Sequence, residues 1–270
     1  MTCLSGDAVG TGLSGTVARS SSNVRPTGSS SHGCARPVAR RPHRDVLWVR
    51  SGKPSPGLPR ASWPTRCACA KLGRIAEVIL FHHVQGLTHG VRSFAEGLRE
   101  GSHVVHTPDL FDGERPATIE DGVALVNRVG RETLRRRAEQ AADRLSGDIV
   151  YAGFSFGATS AQRLAQTKPG ARGALLYEAC LPVSGEWAIG PWPDGLPVQI
   201  HGADKDPFFA LEGDIDAARE LVEIVGAEHA ELFVYPGDRH LFTDSSLPSY
   251  NPDATALVLE RSKEFLDRIS

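Results

Sequence analysis

A chain of 270 residues with nearly balanced charge, 30 basic against 32 acidic, can hold one large domain or two small ones. The balance conceals a division near Leu72: the residues before it carry 11 basic and two acidic side chains, and those after it carry 19 and 30. The acidic part lacks the positive surface that nucleic acids require, and no segment reaches the ~18 consecutive apolar residues of a membrane span. We therefore expect neither a nucleic-acid partner nor a membrane.

The first 72 residues are the basic part of the chain. They are rich in Ser, Gly, Pro and Arg and lack sustained apolar periodicity, so they cannot bury enough surface to offset the entropy of ordering. We predict that residues 1–72 are a disordered extension and that residues 73–270 form the folded domain. Met1 is the only methionine, so a shorter product would have to begin at a codon that elsewhere encodes Val or Leu; a mis-assigned start is an alternative origin of the extension.

Targeting and metal-binding signals are weak in this extension. Arg40-Arg41 is not followed by the apolar run of roughly 7 to 15 residues that a secretory signal requires, so we predict a cytoplasmic protein. Four of the five cysteines lie at or before residue 69, and Cys67-Ala68-Cys69 does not have the spacing of zinc or redox pairs. We expect no disulfide framework, no metal and no cofactor.

From Glu77 onward, short apolar runs alternate with amphipathic stretches, a pattern typical of βαβ units and of a mainly parallel sheet flanked by helices. In chain order, the predicted strands are 78–81, 104–111, 149–152, 174–177, 196–200 and 231–235. The predicted helices are 91–99, 119–145 with a break at Gly130, 158–165, 215–225 and 252–269. About 200 residues are enough for one hydrophobic core, so we predict a single α/β domain.

The most informative motif is Gly153-Phe154-Ser155-Phe156-Gly157, which lies between a predicted strand and a predicted helix. A strand, a sharp turn and a helix are the setting of a nucleophile elbow, in which the serine is held at the tip of the turn. The two glycines suit this geometry because a β-carbon would obstruct the close approach of strand and helix. The alternative is a glycine-rich turn in which Ser155 only caps the helix.

A serine nucleophile needs a base and an orienting carboxylate, and both residue types follow along the chain. Asp204 and Asp206 come after one predicted strand, and His240 follows the next. The order Ser, Asp, His is that of the α/β-hydrolases, whose sheets bind ligands at the carboxyl ends of the strands. We therefore expect Ser155 and His240 to meet at one edge of the sheet, with Asp206, its neighbour Asp204 or the earlier Glu178 as the acid.

Together these residues resemble the dienelactone hydrolase family, a branch of the α/β-hydrolases, over essentially all of residues 77–266. Beyond the elbow, the resemblance is carried by residues 81–87, 107–111, 206–208 and 235–242 and by Ser245, Ser246 and Tyr250. It implies an α/β-hydrolase fold for residues 73–270. It also favours Asp206 as the acid of a triad with Ser155 and His240, because Asp206-Pro207-Phe208 fits the family motif.

Further candidates surround this triad. A developing oxyanion needs N–H donors, and we expect them from the backbone of Phe156, the residue after the nucleophile, and of Val84, in the loop after the first strand. His83 occupies a position at which family members carry a residue that influences the nucleophile. The candidate pocket residues are His83, Phe154, Glu178 and Phe208. The alternatives are a core position for the aromatic residues and ordinary loop polarity for His83.

The chain departs from the best-known family members at two positions. They carry a cysteine nucleophile where this chain has Ser155, and an arginine that binds the substrate carboxylate where this chain has Asp244. Either nucleophile can form an acyl-enzyme, but dienelactone is not the expected substrate. We predict a serine-dependent hydrolase of another small ester or lactone, acting as a monomer or homodimer.

Two other kinds of function are compatible with the same sequence. A hydrolase-like domain can lose turnover and serve as a binding module, although the presence of all three triad residue types in order speaks against this. The same fold also supports acyl or peptidyl transfer and thioester cleavage.

Overall fold

The computed structural model describes residues 75–186 and 188–270. The predicted disordered extension over residues 1–72 and the predicted domain boundary at residue 73 lie outside the described residues. Within the described part, no helix is both long and apolar enough to cross a membrane.

Strands and helices alternate along the described chain and build one parallel sheet. The strands are β1 (Glu77–Phe81), β2 (Val104–His106), β3 (Ile149–Phe154), β4 (Ala171–Tyr177), β5 (Val198–Ala203) and β6 (Ala230–Tyr235). The helices are α1 (His89–Arg99), α2 (Ile119–Val129), α3 (Arg131–Ala142), α4 (Phe156–Thr167), α5 (Asp214–Val225) and α6 (Pro252–Ile269). The six strands lie in the order β2-β1-β3-β4-β5-β6, and each neighbouring pair is parallel. The predicted α/β fold with a mainly parallel sheet is confirmed.

Alternate residues of each strand pack into two cores on opposite faces of the sheet. Ile79 and Phe81 of β1 belong to the core that also contains side chains of α2, α3, α4 and α5. Val78 and Leu80 pack with side chains of α1 and α6. Strands that are buried on both faces have continuous apolar sequences, which is why the sequence predicted their positions.

The second strand is shorter than the sequence predicted. β2 ends at His106, whereas the prediction extended to residue 111. Pro108 has no N–H group to donate to a neighbouring strand, and the N–H of Leu110 donates instead to His82 Nε2 at 3.0 Å. Residues 107–111 therefore leave the sheet and cross over its carboxyl edge.

Local signals set the ends of the helices near the site. Gly130, with φ at +91°, separates α2 from α3, as the sequence predicted. At the start of α6, the side chain of Asn251 accepts a hydrogen bond from the N–H of Ala254, and Pro252 occupies the first turn, where its missing N–H needs no partner. This start follows directly on the loop that carries His240.

Candidate active site

Three polar side chains that lie far apart in sequence meet at the carboxyl edge of the sheet. Ser155 follows β3, Asp206 follows β5 and His240 follows β6. His240 Nε2 lies 2.8 Å from Ser155 Oγ, and His240 Nδ1 lies 2.8 Å from Asp206 Oδ2. The structure thus brings the hydroxyl, the imidazole and the carboxylate into one hydrogen-bonded chain.

The turn that carries Ser155 is strained and tightly packed. Ser155 has φ 49° and ψ −115°, a region that costs a non-glycine residue on the order of 1–3 kcal/mol. A β-carbon on Gly153 would lie 2.3 Å from the carbonyl oxygen of Gly157, and one on Gly157 would lie 2.4 Å from that of Phe81. Both positions therefore require glycine, and the motif has the geometry of a nucleophile elbow.

The two neighbouring aspartates after β5 have different environments. Asp206 is fully buried, and its Oδ1 accepts a hydrogen bond from the backbone N–H of Phe208 at 2.8 Å. Asp204 is exposed, and its Oδ1 accepts from the N–H of Gly237 at 2.8 Å. The carboxylate that contacts His240 is therefore that of Asp206.

The environment of His240 fixes its orientation and favours its charged form. Because the Asp206 carboxylate accepts a hydrogen bond, Nδ1 carries the proton, and Nε2 can accept the proton of the Ser155 hydroxyl. Burial lowers the pKa of His240, but the hydrogen bond to Asp206 and the charges of Glu178, Asp206 and Asp214 outweigh it, so the pKa is raised above 6.5.

The two predicted oxyanion donors lie on adjacent segments. Phe156 is the first residue of α4, and Val84 lies in the loop after β1. These segments touch, because a β-carbon on Gly157 would also lie 2.6 Å from the carbonyl oxygen of His82. Within residues 75–186 and 188–270, no hydrogen bond from the N–H groups of Phe156 and Val84 to a protein acceptor is present.

His83 is a member of a buried polar network centred on Asp244. Its Nε2 donates to Asp244 Oδ2 at 2.8 Å, and its Nδ1 accepts from the N–H of Gln85 at 3.2 Å. The Asp244 carboxylate also accepts from Thr88 Oγ1 at 2.5 Å and from the backbone N–H and hydroxyl of Ser246 at 2.8 and 2.6 Å. Burial raises the pKa of Asp244, but these donors, His83 first, outweigh it and hold the pKa at about 2. The network fastens the loop after β6 to the loop after β1.

Glu178 lies beside the triad without a hydrogen bond to it. It is 1 % exposed, and its backbone has φ 60°. Its Oε1 accepts from Thr243 Oγ1 at 3.3 Å, while its Oε2 has no partner in the described part of the chain. Burial raises the pKa of Glu178 to about 7.

The two aromatic candidates differ in location. Phe154 is buried in the core beneath α1 and α6, where its ring packs against those of Phe94 and Tyr177 at 4.9 and 4.8 Å between centroids. It is therefore a residue of the hydrophobic core. Phe208 is half-buried, and its ring lies 4.7 Å from that of His240.

Sequence reasoning identified Asp244 only by its position and did not find its partners. Thr88 carried no signal of its own, because single hydroxyl side chains in loops are common, and Ser246 entered only through the family resemblance. The spacing of Asp244 and Ser246 is that of a local carboxylate-to-backbone turn, a signal in the sequence from which a fixed carboxylate could have been predicted. In the described residues, no three His, Cys, Asp or Glu side chains are arranged to hold a metal ion.

Three solved structures illustrate the similarity of this fold to known proteins. A putative dienelactone hydrolase from Klebsiella pneumoniae is 20% identical with a TM-score of 0.55, over 72% of this chain and 87% of that one. A dienelactone hydrolase-like promiscuous phosphotriesterase from metagenomic libraries is 18% identical with a TM-score of 0.56, over 74% and 88%. Esterase 2 of Thermogutta terrifontis is 20% identical with a TM-score of 0.51, over 73% and 84%. This likeness establishes the α/β-hydrolase fold.

At the level of sequence, the chain matches the profile of a known family. No curated protein is significantly similar to this chain. The profile of the dienelactone hydrolase family matches residues 66–270, which is well over half of the chain. The protein therefore belongs to the dienelactone hydrolase family, and the resemblance seen in its sequence is confirmed.

Proposed function

We propose that this protein is a serine hydrolase that cleaves a small carboxylic ester or lactone through an acyl-enzyme at Ser155. The observation that carries the proposal is the continuous chain from Ser155 Oγ through His240 to Asp206, with 2.8 Å at each hydrogen bond. Membership of a hydrolase family supports the same reaction class.

Acylation follows from this geometry. Ser155 Oγ attacks the carbonyl carbon of the ester while its proton moves to His240 Nε2, and Asp206 stabilises the imidazolium that forms. The carbonyl oxygen becomes an oxyanion, which the N–H groups of Phe156 and Val84 stabilise; one such donor is often worth about 3 kcal/mol of barrier. Collapse of the intermediate breaks the ester C–O bond, and the departing alkoxide takes the proton from Nε2.

Deacylation repeats these steps with water. His240 Nε2 accepts a proton from a water molecule, whose oxygen attacks the acyl carbon, and then returns a proton to Ser155 Oγ as the acid product forms. With a lactone, the departing alcohol remains attached to the acyl chain, so hydrolysis opens the ring and yields one product instead of two.

The charge of the site favours an uncharged substrate. Asp244 stands where the best-known family members carry an arginine for a substrate carboxylate, and its four hydrogen-bond donors hold it ionised at neutral pH. A second negative group on the substrate would find no compensating charge at this position. We therefore propose a neutral ester or lactone and not a lactone carboxylate.

Turnover of p-nitrophenyl acetate by the full chain and by Ser155→Ala tests the proposal. We expect the variant to lose at least about 10³-fold in kcat, because the nucleophile is removed. Ser184→Ala, which removes an exposed hydroxyl, is the control and should retain the wild-type rate. Equal rates above buffer for wild type and Ser155→Ala would refute the role of Ser155. Rates that do not exceed buffer for either protein would favour a binding module without turnover.

Labelling with a fluorophosphonate identifies the nucleophile independently of any substrate. We expect one adduct on the peptide that contains Ser155, and none in Ser155→Ala. An adduct at another residue would overturn the assignment. Activity on thioesters or transfer to added amines, measured with the same panel of variants, distinguishes hydrolysis of esters from the other reactions that this fold supports.

A further inference from the structure

Glu178 is placed between the residues of the triad by the order of the sheet. It follows β4, which lies between the strand before Ser155 and the strand before Asp206. The N–H of Ser155 donates to the carbonyl of Tyr177 at 2.7 Å, and the N–H of Glu178 donates to that of His201 at 2.7 Å. The backbone of Glu178 is therefore fixed at the same edge as the proposed nucleophile.

Three features of Glu178 each destabilise the folded chain. Its backbone has φ 60°, a left-handed conformation that glycine adopts more readily. Its carboxyl group is buried, and Oε2 has no hydrogen-bond partner among the described residues. Ser155 and Leu241, which also lie at the site, share the positive φ, at 49° and 59°. Strain and an unsatisfied buried polar group in one residue, next to a triad, indicate a functional role.

The charges that face Glu178 come from several elements. His240 and the hydroxyl of Thr243 lie on the segment after β6, and Asp206 lies on the segment after β5. Burial is the largest influence on the pKa of Glu178 and raises it; His240 lowers it and Asp206 raises it further. In turn, Glu178 and Asp214, the first residue of α5, both raise the pKa of His240. The charge of Glu178 therefore raises the pKa of His240, and the charge of His240 lowers the pKa of Glu178.

We propose that Glu178 is a positioning residue that sets the proton affinity of His240 and holds the loop of His240 through Thr243. The inference rests on the proposed function, in which His240 is the base. When ionised, Glu178 stabilises the imidazolium that forms as Ser155 attacks, and so acts beside Asp206 on the same ring. When protonated, Glu178 no longer stabilises the imidazolium, so the titrations of Glu178 and His240 are coupled.

The test is an NMR titration of the His240 imidazole in the full chain, comparing wild type with Glu178→Gln. The signal is assigned by its loss in His240→Gln. Glutamine keeps the size of the side chain and an oxygen for Thr243, so only the ionisable group is removed. We expect the pKa of His240 to fall by about 0.5 to 1 unit, as expected for loss of one nearby opposite charge.

Glu212→Gln is the matched control. This exposed carboxyl acts on Asp214 but not on His240, so the His240 titration should stay at the wild-type position. Glu178→Asp retains a carboxyl group on a shorter side chain, so the pKa of His240 in this variant should lie between the values in wild type and in Glu178→Gln. It also provides the second variant if Glu178→Gln does not fold, as judged by circular dichroism.

The pH dependence of kcat/KM for p-nitrophenyl acetate provides the second readout. Its acidic limb should move to lower pH by the same amount in Glu178→Gln. An unchanged His240 titration in a folded Glu178→Gln protein would overturn the inference, whatever the activity. A shifted titration in a protein without esterase activity would support the link between Glu178 and His240 while refuting the proposed function, so the two failures are distinguishable.

Discussion

Replacing Asp244 by asparagine removes the centre of the network that joins the loops after β1 and β6. Each carboxylate oxygen accepts two hydrogen bonds: Oδ2 from His83 and Thr88, and Oδ1 from the backbone and hydroxyl of Ser246. An amide has one accepting and one donating end, so one pair of donors must face an N–H₂ group. His83 cannot adapt by changing tautomer without losing the hydrogen bond that its Nδ1 accepts from Gln85.

The expected magnitude follows from these bonds. If the amide N–H₂ faces Ser246, the serine hydroxyl can turn to accept, but the backbone N–H of Ser246 loses its acceptor. The bonds from His83 and Thr88 then reach a neutral instead of a charged oxygen. Since hydrogen bonds contribute about 1.5–3 kcal/mol to a charged group and about 0.5–1.5 kcal/mol to a neutral one, Asp244→Asn should lower the free energy of unfolding by about 3 kcal/mol. The depressed pKa of Asp244, about 2 against the usual 3.8, reflects the same hydrogen bonds and corresponds to about 2 kcal/mol. For a domain of this size the melting temperature should fall by roughly 6–12 °C.

The difference in unfolding free energy between wild type and Asp244→Asn should change with pH in one direction. Because the folded-state pKa of Asp244 lies below the unfolded-state value, its contribution is present above pH 3.8 and is lost as the pH falls towards about 2. The gap in stability between wild type and Asp244→Asn should therefore be constant near neutral pH and shrink in acid.

Urea unfolding followed by circular dichroism, repeated at several pH values, measures the loss of stability and its dependence on pH. Asp238→Asn is the control, because Asp238 is exposed and forms a solvated ion pair with Arg239 at 3.6 Å. Its effect should stay within about 0.5 kcal/mol. If Asp244→Asn unfolds at the same urea concentration as Asp238→Asn, the hydrogen-bond argument is wrong.

Three further predictions concern the triad and its turn. Asp206→Asn should lower kcat/KM for p-nitrophenyl acetate by about 10³-fold or more, whereas Asp204→Asn should lose less than about 10-fold because Asp204 does not contact the imidazole; equal losses would contradict this. Gly157→Ala should lower the melting temperature far more than Gly185→Ala, since the new β-carbon meets a backbone oxygen at 2.4 Å at the first position and nothing within 4 Å at the second. Because His240 must be neutral to accept a proton and its pKa is raised, kcat/KM should rise with pH through an inflection above 6.5, and an inflection below that value would count against the assignment.

The sequence predicted the parts of the fold and site that have local signals. Buried parallel strands appear as apolar runs, and the Gly-x-Ser-x-Gly turn has a fixed chemistry, so the order of elements and the position of Ser155 were accessible. The predicted β2 was too long because the apolar residues Leu110 and Phe111 resemble the end of a buried strand. The absence of an N–H at Pro108 and the partner found by Leu110 remove this segment from the sheet.

Contacts between distant loops left no trace in the sequence. His83 and Asp244 are 161 positions apart, and no sequence motif next to either residue predicts their contact. Phe154 was a candidate pocket residue with a core position as the alternative, and its ring lies in the core. The left-handed backbone of Glu178 was not predictable from the residue type, since glutamate rarely adopts it.

The positive φ angles of Ser155 and Glu178 imply a trade-off between heat resistance and chemistry. Glycine would adopt both conformations more easily, so a chain optimised for stability alone would carry glycine at these two positions and would have neither the hydroxyl nor the carboxyl group. Engineering of a more thermostable version should therefore leave this edge of the sheet unchanged and seek its gains in the helical layers.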